Sequence, residues 1–105
     1  MEIKFESVVR GGGIGNRFWV AKITGRDAKF GLARQFLKKD LSDLSGSGRS
    51  GTIEVTITEP GFYEFRERMT SDRSISDRAY GGFLQVDEAG NVVEVEREFV
   101  EGEIN

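Results

Sequence analysis

The chain has no cysteine and no histidine. That excludes disulfides, thiol nucleophiles, zinc sites of the usual ligand types and serine–histidine triads. It also removes the side chain whose ordinary titration falls near neutral pH. Proline occurs once, at Pro60, so the turns must rest on the 14 glycines. No apolar run approaches the roughly 18 residues of a membrane span, and no membrane association is expected. The opening MEIKFESVVR lacks the charged-then-apolar pattern of a secretory leader. Together with the missing cysteines, this suits a cytoplasmic setting.

What is present is a chain of 105 residues, the length of a single domain spanning 1–105. A domain of this size buries roughly two-thirds of its unfolded surface. The apolar fraction is only 37 %, but it includes eight Phe, two Tyr and Trp19, whose volume compensates. Charge is uneven. Residues 1–50 hold ten basic and five acidic residues, a net of +5, and residues 51–105 hold five basic and thirteen acidic, a net of −8. Such a split marks either a bipolar surface or two halves that neutralise each other across one sheet.

The stretch TIEVTITEPGFYEFRERM, residues 52–69, organises the rest. Ile53, Val55 and Ile57 alternate with Thr and Glu, the period of a half-buried strand. Glu59-Pro60-Gly61-Phe62 suits a type II turn, and Phe62–Phe65 starts a second strand, so a central hairpin is expected. Residues 2–9 alternate as a strand with Ile3 and Phe5 on one face. Gly11–Asn16 lacks the spacing of a dinucleotide or phosphate loop and reads as a turn. Arg17–Thr24 is a strand apolar on both faces, which places it inside a sandwich or barrel.

Residues 27–44 fit two patterns. As a helix, Phe30, Ala33, Leu37, Leu41 and Leu44 form one apolar stripe, with Asp27 as N-cap. As a strand, Phe30, Leu32, Arg34 and Phe36 alternate, and Gly25–Lys29 becomes a hairpin loop. Gly31 costs about 1 kcal/mol inside a helix, yet propensity leans toward helix. Ser45–Gly51 reads as a linker. Thr70–Arg78, with Ser-Asp-Arg repeated, reads as a loop held by side-chain hydrogen bonds to the backbone. Its Arg73 and Arg78 are also able to form a fork for a phosphate or carboxylate. Ala79–Val86 and Asn91–Val100 form the last hairpin around Asp87–Asn91. Val93, Val95 and Phe99 then face the core, and Glu94, Glu96 and Glu98 share the outward face.

The fold expected is mainly β: a small antiparallel barrel or sandwich of five to seven strands, with at most one short helix within 27–44. The expected core includes Phe5, Val20, Ile23, Ile53, Val55, Ile57, Phe65, Val86, Val93 and Val95.

The run Trp19–Gly25, followed by Asp27, Lys29–Leu32, Arg34 and Phe36, resembles small uncharacterised proteins of phage or prophage type. The resemblance implies a mostly β domain in a bacterial cytoplasm or a host cytoplasm. It carries over no active residues.

Catalysis would have to rest on carboxylates, Lys, Tyr, Ser or a carboxylate-bound Mg²⁺. The acidic pairs Asp40 with Asp43, Asp72 with Asp77, and Asp87 with Glu88 have no distinctive metal-site spacing. No enzyme activity, cofactor or metal is expected. The candidate binding residues are Arg17, Lys22, Arg26, Lys29, Arg34, Lys38, Arg73 and Arg78. Those of the first half are interleaved with Phe18, Trp19, Phe30 and Phe36. Two functions fit this set. One is a protein-interaction module, an accessory or inhibitory factor acting through charged surface contacts. The other is a domain binding single-stranded nucleic acid, where cations track phosphates and rings stack on bases. The sequence pI near 5.0 and the absence of a known nucleic-acid motif favour the first.

Overall fold

The computed structural model describes residues 1–8, 19–39, 50–66, 69–71, 75–78 and 81–104. Among these, nine strands and one helix are formed. The strands are β1 (Glu2–Val8), β2 (Trp19–Asp27), β3 (Gly31–Lys39), β4 (Ser50–Thr56), β5 (Gly61–Arg66), β6 (Met69–Ser71), β7 (Ile75–Arg78), β8 (Gly82–Val86) and β9 (Val92–Val95). The helix is α1 (Arg97–Glu103). All pairing is antiparallel, in a four-stranded sheet of order β4-β1-β6-β7 and a five-stranded sheet of order β3-β2-β5-β8-β9. The architecture is thus the mainly antiparallel β sandwich that the alternating strand patterns led us to expect.

The two sheets enclose one core. Ile3, Phe5, Val55 and Ile57 from the first sheet and its following loop meet Val20, Tyr63, Phe65, Leu84 and Val86 from the second. The opposite face of the five-stranded sheet holds a second cluster, of Ile23, Leu32, Phe83 and Val100, the last from α1. The five-stranded sheet is therefore covered on both faces, which is why β2 is apolar on both. Val20 serves the inter-sheet core and Ile23 the helix side.

Several expectations are corrected. Residues 52–66 do not form a hairpin. β4 pairs with β1, placing Ile3 opposite Val55, while β5 pairs with β2 and β8 in the other sheet. Ile57–Pro60 carries the chain from one sheet to the other. Ile57 stays buried in the shared core, and its amide and carbonyl bond to Met1 at 2.7 and 3.0 Å. The Tyr63 hydroxyl donates to the Glu59 carbonyl at 2.5 Å, closing the crossing.

Residues 27–39 contain no helix. The Asp27 carboxylate accepts from the amides of Lys29 and Phe30, both at 2.8 Å, and so holds a hairpin turn instead of capping a helix. Gly31 follows with φ +85°, a conformation that ends the turn and interrupts any helical run. The strand alternative is the correct one, and the helix lies at Arg97–Glu103 instead. There the alternation of Val93 and Val95 gives way to a four-residue spacing. Val100 and Ile104 reach the second cluster, and Arg97 pairs with Glu101 at 2.8 Å.

Glu94 therefore lies on β9, Glu96 at the helix N-cap and Glu98 in the first helical turn, so they share no strand face. Val93 is 55 % and Phe99 46 % exposed, so neither belongs to the core. Thr70–Arg78 is more than a loop. Ser71 stands opposite Ile75, and Met69 opposite Arg78, in a short hairpin. These two strands are the ones beyond the expected five to seven. Ser50 and Gly51 begin β4, not a linker. The turn at 11–16, the rest of the linker at 45–49, and residues 40–44 lie outside the described residues.

Candidate functional site

Among the described residues, α1 covers one end of the helix-bearing face of the five-stranded sheet. α1 lies over Ile23, Leu32 and Phe83. Arg26 Nη2 donates to the Glu101 carbonyl at 2.6 Å and ties the hairpin to the helix. The other end of the same face carries Trp19, Arg34, Phe36, Glu64 and Arg66. Register explains their meeting: Phe36 stands opposite Ala21, and Ala21 opposite Glu64, so three adjacent strands point these side chains the same way.

Glu64 is the centre of this group. It lies between Tyr63 and Phe65 in sequence, on the face opposite theirs, and is 1 % exposed. A carboxylate so placed is tolerable only when paired. Arg34 Nε donates to one of its oxygens at 2.6 Å, and Arg66 Nε contacts the other at 3.0 Å. Arg34 Nη1 also donates to the Leu32 carbonyl at 2.8 Å. The two guanidinium carbons lie 5.9 and 5.7 Å from the centre of the Trp19 ring, and Phe36 meets that ring edge-on at 5.2 Å. The set is a fixed clasp with one net positive charge.

Beside it runs β3, the edge of the sheet. Among the described residues, only β2 pairs with it. Phe30, Phe36 and Leu37 are 63, 46 and 38 % exposed. Leu37 has no partner in the register between Phe36 and Lys38, which makes it a β-bulge. Lys29 lies 5.3 Å from the Phe30 ring centre. A cavity of about 330 Å³ opens here, lined by Asp27, Phe30, Leu32, Ala33, Arg34 and Phe36.

The expected binding residues are scattered. Lys22 points to the inter-sheet side and pairs with Glu59 at 2.7 Å. Arg26 holds α1, and Arg34 holds Glu64. Lys29 and Lys38 stand exposed on the β2–β3 hairpin. Arg17 and Arg73 lie outside the described residues, as does the side chain of Arg78 on β7. The pairs Lys22–Glu59 and Arg34–Glu64 each join a first-half cation to a second-half carboxylate, as expected if the halves neutralise each other. Glu64, Arg66 and Leu37 are the residues that sequence reasoning missed. A lone glutamate inside Phe-Tyr-Glu-Phe was the available signal, since an acid flanked by core aromatics must find a cation.

Of the acidic pairs, Asp40, Asp43 and Asp72 lie outside the described residues. Asp87 holds the β8–β9 turn, accepting from the Asn91 amide at 2.8 Å and from its side chain at 3.0 Å. The Asn91 side-chain bond, then its amide bond, hold the Asp87 carboxyl below its ordinary pKa. Burial first, and the Glu59 charge second, push the Tyr63 phenol up. Among the described residues, no three acidic side chains gather as a metal site requires.

Compared with family models, with curated proteins and with solved structures, the chain matches none.

Proposed function

We propose that this is a protein-interaction module, without catalytic activity, whose docking element is the β3 edge of the β2–β3 hairpin. The occupant is an acidic segment of a protein partner, added as an extended strand. One observation carries the reading: of the large apolar side chains left exposed, Phe36 and Leu37 stand on one edge strand and Phe30 in the turn that leads into it. Residues 28–39 around them hold four basic and no acidic residues. Main-chain hydrogen bonds would supply affinity and alternate side chains specificity, as in other strand additions. Lysines on an edge also discourage pairing with a like-charged strand, and an acidic strand escapes that penalty. The intracellular, bacterial or viral setting implied by the resemblance belongs to this proposal.

Single-stranded nucleic acid is the second reading, favoured by arginines and aromatics on one sheet face. It is weakened by Trp19, which is half-buried with two guanidiniums and the Phe36 ring already beside it. Little of that ring remains for a base.

Selection of a random displayed-peptide library tests the reading, with a Leu37→Glu/Lys38→Glu variant as counter-selection. Enriched peptides should be acidic with alternating apolar residues, and their chemical-shift changes should fall within 29–38. Binding should weaken with salt, because screening acts over about 8–10 Å at moderate ionic strength. Tighter, salt-dependent binding of a single-stranded oligonucleotide at the same residues would favour the second reading. Shift changes elsewhere would refute both.

A further inference from the structure

The two edges of the five-stranded sheet are unlike. β3 at one end lies in the basic, aromatic stretch described above. β9 at the other end pairs only with β8 among the described residues. Residues 87–98, which contain β9, hold five acidic residues and one basic. Glu88, Glu96 and Glu98 are exposed, as are Val93 and Phe99. Val93 stands two residues from Val95, which packs in the helix-side cluster, so Val93 shares the face of Phe36.

We infer that the acidic strand taken by β3 is β9 of a second copy of this chain, giving head-to-tail association that continues the sheet. This rests on the strand-docking reading above and names its partner. Four successive antiparallel steps leave β3 and β9 pointing the same way. A second copy carried along the sheet without turning over therefore makes a parallel junction. That junction keeps α1 of both copies on one side. It brings Phe36 and Leu37 toward Val93, and Lys38 toward the glutamates flanking β9. Turning the copy over would set Val93 against the face that carries Lys38, so the unturned arrangement is the better matched. β3 against β3 would instead set two basic edges together, which like charges oppose. Because the two surfaces differ, the contact is heterologous and generates a ring or an open fibre, not a closed two-fold dimer.

Sedimentation equilibrium of the full chain across a concentration series, at low and high salt, tests this. Two variants block one edge each: Leu37→Glu/Lys38→Glu on β3 and Val93→Lys/Glu96→Lys on β9. All four positions are exposed, and Glu96 makes no side-chain cap bond to α1. Circular dichroism melts confirm that both variants fold. The wild type should rise to roughly twice the one-copy mass or more at low salt, and fall back at high salt. Each variant alone should stay at one copy. Mixing them should restore association, because the intact β9 of one meets the intact β3 of the other. A wild type that stays at one copy throughout overturns the inference. If an acidic peptide still binds β3 in that protein, the docking reading survives without it; if no peptide binds either, both fall. A β9 variant that associates like the wild type also overturns it, since β3 would then be pairing with itself.

Discussion

Replacing Glu64 by Gln should unsettle this domain more than any surface change on the same strand. The carboxylate is 1 % exposed, and both its oxygens are taken by guanidinium nitrogens at 2.6 and 3.0 Å. Gln keeps the shape but removes the charge, leaving Arg34 with a side chain only 16 % exposed. Removing one partner of a buried pair costs about 3–5 kcal/mol, because the other charge stays desolvated. Arg66 is 45 % exposed, so water screens it and its share is below about 1 kcal/mol. We therefore expect Glu64→Gln to lose about 3 kcal/mol, the lower end of the range. Against a total of about 5–15 kcal/mol for a small domain, that is a large fraction. Urea unfolding followed by circular dichroism reads it as a lower midpoint at unchanged slope. Arg34→Gln should cost at least as much, since Glu64 would keep its burial with only Arg66 beside it. Arg34→Met combined with Glu64→Leu should recover most of the loss, since apolar replacement of a whole buried pair is often neutral or better. A Glu64→Gln domain within about 0.5 kcal/mol of wild type would refute the reasoning, because that is the range of ordinary surface substitutions.

Three further outcomes are expected. Gly81→Ala should prevent stable folding, because its Cβ would fall 2.2 Å from the Phe65 carbonyl oxygen and 2.9 Å from the Arg66 Cα; a cooperative melt like that of the wild type would contradict this. Val100→Asp should release α1 and lower stability by about 3 kcal/mol or more, whereas Val93→Asp should stay within about 0.5 kcal/mol, as the first is fully buried and the second 55 % exposed. Equal effects in parallel urea titrations would show that the helix does not cover the sheet. The Asp87 carboxyl, held down by its Asn91 bonds, should titrate below the ordinary value of about 3.9 in a carbon-detected NMR series. A lowered native pKa means stability present above the unfolded value and lost as pH falls through the native one. Asp87→Asn should therefore flatten the acid limb of the stability curve, and a midpoint at or above the ordinary value would overturn the assignment.

Alternation made the class of fold legible. Ile3 with Phe5, and Val55 with Ile57, announced their buried faces directly, and the β8–β9 turn was marked by Asp87 and Gly90. Pairing between distant strands was not legible. Glu59-Pro60-Gly61 looks the same whether the chain reverses within one sheet or crosses to the other, and only the β1–β4 register, set some fifty residues apart, decides. Residues 27–39 satisfied two periods at once, and the choice fell to one carboxylate binding two amides and one glycine at positive φ. α1 was missed because its single turn of evidence, Val100 with Ile104, follows two valines that fit a strand. Half of the site could be read early, since Trp19, Arg34 and Phe36 stand in one basic and aromatic run. Glu64 and Arg66 arrive on another strand, and nothing local to either half announces the pairing.

The uneven charge of the chain then has two physical uses on one hairpin. Arg34, on β3, reaches across β2 to Glu64 on β5, so one buried contact ties three strands together. Arg26, near the other end of the hairpin, is tied to α1 through the Glu101 carbonyl. An edge strand paired, among the described residues, on one side only, and bulged at Leu37, would otherwise be the loosest part of the sheet. On the proposal that β3 docks a strand, these ties hold it extended beforehand and so would lower the ordering cost of strand addition. Lys29 and Lys38 remain outward, where on the same proposal they would steer an acidic strand. If β3 docks a strand as proposed, loss of the Glu64 clasp should weaken that docking even where the domain stays folded, because the contact that ties β3 to β5 would also prepare the edge.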